Sequence, residues 1–146
     1  MTAVCCRAPI IKDAFYMTDP RLRQVTWVAR IALALVFIWH GLVPKILWLS
    51  PDELAMIQAH GLPAPEWVAR VAGAAEILLG GLLLMRSRRW PVLLAAVLLL
   101  GLLLDVALMS PHLLLQAFNP LSTNLAALAL CWVVWRLESE PKPPHH

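Results

Sequence analysis

Five ionisable side chains interrupt otherwise apolar stretches of this 146-residue chain: Arg30, His40, Arg70, Glu76 and Asp105. Asn124 is a neutral companion in a further stretch. A charged group in an apolar span costs about 2.5–3.5 kcal/mol on insertion scales, so such groups turn inward and mark a site more often than not. An imidazole and two carboxylates could pass protons or hold a polar head group, and a guanidinium could hold an anion. The plainer alternative is an ion pair, Arg70 with Asp105 or Glu76, that fixes helix register and binds nothing. Both readings stay open at this level.

The elements that carry these groups follow from hydropathy. Apolar types make up 60% of the chain and charged types 14%, with a mean hydropathy of +0.71. Four runs have spanning length, 25–43, 67–85, 90–109 and 120–137. At 1.5 Å rise per residue each matches a hydrocarbon core of about 30 Å. All twelve prolines are expected outside the runs or in their first turns, where a missing N–H costs nothing. The expected fold is therefore all-α, a four-transmembrane-helix bundle with short interfacial helices on the outer side. It divides into an N-terminal segment 1–24, a transmembrane domain 25–137 and a tail 138–146.

Lys and Arg set the orientation. The first segment holds Arg7, Lys12, Arg21 and Arg23, the second connection Arg86, Arg88 and Arg89, and the last helix and tail Arg136 and Lys142. The first connection offers Lys45 against Asp52, Glu53 and Glu66, and the third has no basic residue. Threading four helices puts every basic cluster on one side, which predicts an integral protein of a bacterial-type inner membrane with both termini cytoplasmic. The net charge of +3 is spread as topology signals, not gathered into a nucleic-acid patch. The first 24 residues lack the apolar core of a secretory signal. Cys5, Cys6 and Cys131 have no disulfide or zinc spacing and read as free thiols on the reducing side.

In the first connection, Ser50, Pro51 and Glu53 form a helix-start pattern, with Ser50 as the capping side chain and Gly61 as the stop. Leu54 and Ile57 share a face of that short helix, which should lie along the outer interface. Ser110 and Pro111 open a second short segment, and Asn119 should cap the fourth span.

Depth brings the polar groups together. With helix centres near residues 34, 76, 100 and 128, Glu76 lies at the midplane. His40, Arg70, Asp105 and Asn124 lie about 6–9 Å toward the outer face. Arg30 alone is on the inner side, close enough to snorkel. Arg70, Gly73, Glu76 and Gly80 recur at helical steps, and Asp105 shares a face with Gly101, so small residues should mark contact faces. The short second connection should make neighbours of the second and third spans. His40, Arg70, Glu76 and Asp105 are thus expected to line one space in the outer half. Membrane haem ligation is not expected, because His40 is the single histidine in a span; His60 and His112 lie outside. No intrinsic cofactor or metal site is predicted, but a His/Glu/Trp-lined space open to lipid is compatible with a quinone head group.

Three stretches, taken together, resemble the DoxX-like family of small four-helix membrane proteins. They are Phe37, Trp39, His40, Gly41, Pro44 and Lys45; Gly73, Glu76 and Gly80; and Phe118, Asn119, Pro120 and Asn124. The resemblance covers about 24–137. It carries over His40, Lys45, Glu76 and Asn119 as motif positions without a catalytic assignment. It also implies association with respiratory and redox systems, including membrane subunits of thiosulfate:quinone oxidoreduction and oxidative-stress complexes. The candidate pocket is then His40, Lys45, Arg70, Glu76, Asp105, Asn119 and Asn124. Three functions remain open: a membrane subunit or accessory of a quinone-linked redox system, a transporter-like protein binding a small molecule or ion, and an assembly scaffold without chemistry. The expected partners are the lipid bilayer and a redox protein or a second copy of the chain.

Overall fold

A computed structural model describes residues 20–85, 89–117 and 119–138. Cys5, Cys6, Arg86, Arg88, Phe118, the segment 1–19 and the tail 139–146 lie outside the described residues. Among the described residues, four helices are long and apolar enough to cross a membrane. They are α1 (Pro20–Leu42), α3 (Pro65–Leu84), α4 (Trp90–Met109) and α5 (Pro120–Glu138). A short helix, α2 (Pro51–Ala59), lies between the first two. A single 3₁₀ turn, Pro111–Leu115, precedes the last.

Helix α1 does not stop before Pro44. It continues as a π-helical turn over Val43–Leu47, with the Trp48 N–H donating to the Val43 carbonyl at 2.9 Å. Proline has no N–H for the bond to residue 40, so the chain widens by one residue per turn there rather than ending. At α2, Ser50 is the N-cap in extended conformation, yet its hydroxyl makes no capping bond, contrary to the expectation. Gly61, with φ of +67°, ends α2 in the left-handed region where a Cβ is penalised. Asn119 caps α5 as expected: its Oδ1 accepts from the Ser122 N–H at 2.8 Å.

Each spanning helix buries one stripe. In α1 it is Thr26, Ala29, Arg30, Leu33, Ala34, Phe37 and Gly41, and in α5 it is Asn124, Ala127, Cys131 and Val134, both at steps of three and four. The remaining surface is apolar: Leu35, Trp39, Leu78, Leu104 and Leu108 are each more than half exposed. In water that surface would be unsustainable, whereas in lipid it is the ordinary outside of a bundle.

Helix α1 packs between α3 and α5, and α5 packs between α1 and α4. Although joined by a short connection, α3 and α4 meet only sparsely, so these two chain neighbours are not the close pair that the short connection led one to expect. The tightest crossing is α1 on α3. A Cβ at Gly73 would lie 2.5 Å from the Gly41 carbonyl oxygen, and one at Gly80 would lie 2.6 Å from the Ile38 side chain. These backbones approach as they do because glycine is there. Gly101, by contrast, faces open space and marks no contact.

Arg30 does not snorkel. It is 0% exposed, and its guanidinium donates through Nε and Nη2 to Glu138 Oε1 and Oε2 at 2.8 and 2.7 Å. Nη1 donates to the Leu83 carbonyl at 2.7 Å. A planar fork meeting a carboxylate is the geometry an arginine needs to stay charged in a core. It ties α1, α3 and α5 together at the end of the bundle away from α2.

Candidate functional site

The glycine crossing also sets the site. Lys45 is one turn beyond Gly41 and Glu76 one turn beyond Gly73. The helices cross antiparallel, so each charged residue packs beside the other helix's glycine: a Cβ on Gly73 would lie 2.9 Å from Lys45 Cβ and one on Gly41 3.0 Å from Glu76 Cβ. Across that close crossing Lys45 Nζ donates to Glu76 Oε1 at 2.5 Å. The π turn carries Lys45 onto this face; its side chain is 7% exposed and that of Glu76 11%. Glu53 of α2 completes a carboxylate–ammonium–carboxylate series, with Oε1 3.7 Å from Lys45 Nζ. Burial pushes the Glu53 carboxyl above its ordinary range, and the charge of Lys45 beside it opposes that rise. Glu76 Oε2 is buried and finds no hydrogen-bond partner.

These groups form the polar end of a cavity of about 280 Å³. Its polar wall includes His40, Lys45, Glu53, Glu76, Asn119 and Asn124, and its apolar wall Phe37, Leu99, Leu102, Val106 and Leu113. Helix α2 borders it through Asp52, Glu53 and Met56. Asn124 is buried, whereas His40, more open, borders the space from α1.

Five of the residues singled out in the sequence, His40, Lys45, Glu76, Asn119 and Asn124, meet around this cavity. Arg70 and Asp105 do not. On a helix of 3.6 residues per turn, Arg70 lies roughly 90° around from the mean of Gly73, Glu76 and Gly80. It is exposed, with its guanidinium carbon 5.8 Å from the ring centroid of Trp67, a cation–π pair at the helix start. Asp105 lies roughly 90° around from the mean of Leu99 and Leu102 on the same reckoning. Its Oδ1 instead meets His60 Nε2 at 2.8 Å. The expectation of one space shared by His40, Arg70, Glu76 and Asp105 is corrected accordingly: similar depth does not make similar azimuth.

The His60 contact is a clasp. Its Nδ1 faces the Met56 carbonyl oxygen at 2.8 Å while Nε2 faces the carboxylate. Two acceptors on the two ring nitrogens can both be served only by the imidazolium. The pKa of His60 is raised, first by the Met56 carbonyl and then by Asp105. The clasp ties the end of α2 to α4.

Glu53 and His60 are the site residues that sequence reasoning passed over. The signal for Glu53 was present: Lys45 is the lone cation of an otherwise acidic connection, and it needs a counter-charge once buried. Nothing in the sequence pointed His60 at Asp105. Among the described residues, no three of His, Cys, Asp and Glu are grouped so as to hold a metal ion.

A model of the DoxX-like family matches residues 34–132, a range that contains the whole polar wall of the cavity and excludes Arg30 and Glu138. No curated protein and no solved structure matches the chain significantly.

Proposed function

The chain belongs to the DoxX-like family of membrane proteins, and from that premise we propose that it is a membrane subunit or accessory of a quinone-linked redox or oxidative-stress system. The cavity is its ring-binding site. The observation that carries this reading is an apolar-walled space of about 280 Å³ with one buried Lys45–Glu76 pair at its polar end. Ligand pockets run roughly 300–1,000 Å³; this one, at the small end, suits a single substituted ring whose tail stays in lipid. Lys45 is the donor for a ring oxygen, and His40 and Glu76 are groups that can hold or release a proton beside it. Glu53 continues the series along the cavity wall onto α2. A bound quinone supplies two-electron carrier chemistry in the lipid phase; the chain's own residues bind, orient and keep bulk water from the ring.

Passage through the bundle has less support. Leu33, Leu79, Leu83 and Leu99 form one packed cluster with Ala127, Cys131 and Val134, and transport needs access from both sides. The basic residues Arg21, Arg23, Arg89 and Arg136 support a cytoplasmic placement of the Arg30–Glu138 end. The cavity then faces the outer side of a bacterial-type inner membrane. The test is chemical extraction of the purified chain. Quinone near stoichiometric amount in the extract, lost when Leu102→Trp fills the cavity, is the expected result. Phospholipid in bulk proportion with no quinone, in both proteins, would remove the reading.

A further inference from the structure

The Glu76 carboxylate is served on one side. Oε1 accepts from Lys45 Nζ at 2.5 Å, while Oε2 is buried without a partner. An unserved acceptor on a charged group is among the costlier defects a fold carries. Lys45 is under-used as well. An ammonium has three N–H groups, and its acidic neighbours are Glu76 Oε1 at 2.5 Å and Glu53 Oε1 at 3.7 Å. Both Lys45 and Glu76 line the cavity.

An idle acceptor beside a donor with capacity to spare is complementary to a group that donates and accepts at one atom. A hydroxyl is the smallest group that does so. A carbonyl only accepts, and would leave Oε2 unserved. An anion would meet the carboxylates of Asp52, Glu53 and Glu76 around the cavity with Lys45 as the one ammonium in its wall. Presenting Oε2 to an incoming hydroxyl takes a rotation about the last side-chain torsion of glutamate, which is broad and soft.

Resting on the reading that the cavity takes a lipid-soluble ring, we propose that it selects the neutral, hydroxyl-bearing reduced form, the hydroquinone, over the quinone. Glu76 accepts the ring O–H, and Lys45 donates to the same oxygen. The selection concerns binding alone; no electron moves in it.

The test uses the full chain in lipid nanodiscs under anaerobic conditions, with decylubiquinol and decylubiquinone as probes and empty nanodiscs as the blank. The reduced probe should bind roughly tenfold tighter or more, the worth of one charge-assisted hydrogen bond. Glu76→Gln replaces the idle acceptor with an N–H donor, so the preference should vanish or invert toward the quinone. Loss of packing alone would weaken both probes together. If the variant does not fold, the ratio in the unaltered chain still decides. Equal or tighter binding of the oxidised probe overturns the selection and leaves ring binding standing. Retention of the full preference in Glu76→Gln overturns the assignment to Glu76. Binding of neither probe overturns the ring-binding reading, and the selection with it.

Discussion

Replacing Gly73 with alanine tests whether close backbone approach assembles the site. The added Cβ would sit 2.5 Å from the Gly41 carbonyl oxygen and 2.9 Å from Lys45 Cβ. The first neighbour is backbone and cannot swing aside, so α1 and α3 must separate by several tenths of an ångström. Overpacking of this kind costs about 1–3 kcal/mol. Alanine also gains about 1 kcal/mol of helix propensity over glycine, which masks part of the loss. Gly81 supplies the control, because a Cβ there meets nothing within 4 Å and its alanine variant gains the propensity alone. Gly81→Ala should therefore be neutral or stabilising by up to about 1 kcal/mol. The gap between the two variants should be about 1–3 kcal/mol, the steric term by itself. Reversible unfolding in mixed micelles, followed by helical circular dichroism, measures both. Equal shifts in the two variants would refute the claim that this crossing is glycine-limited, and with it the account of how Lys45 reaches Glu76.

Arg30→Met should cost roughly 3–5 kcal/mol in the same assay, because it strands the Glu138 carboxylate and the Leu83 carbonyl in the core; a loss below about 1 kcal/mol would count against the clamp. Arg30→Met with Glu138→Leu should recover most of that loss, since an apolar pair leaves no unpaired charge behind. The clasp at His60 has a definite pH sign: its pKa is raised in the fold, so its stabilisation is complete below the ordinary imidazole value of about 6.5 and fades as pH rises through the raised one. Asp105→Asn should move the His60 titration, read by NMR, back toward that ordinary value, and an unchanged titration would dissolve the clasp. In a cysteine-free background, Gln58→Cys should react with an impermeant thiol reagent from outside the cell and Arg89→Cys only from the cytoplasm; the reverse pattern would invert the orientation.

Hydropathy alone determined that four helices cross a bilayer, and nearly where. The third span, Trp90–Met109, has the expected bounds, and the others differ by a few residues at their ends. The cap at Asn119, the short helix after Ser50 and the stop at Gly61 were legible for the same reason. Each is governed by residues close along the chain, where lipid rewards apolar length and a turn needs particular local chemistry. Which polar groups meet was not legible in that way. Arg70 and Asp105 share the depth of His40 and Asn124 but face elsewhere, since contact depends on azimuth and on which helices adjoin. Arg30 is held by Glu138, 108 residues away, and the Lys45–Glu76 pair depends on a π turn and a glycine crossing set by two helices at once. Depth is a property of one helix in its solvent; convergence is a property of how several helices pack, and only the tertiary structure decides it.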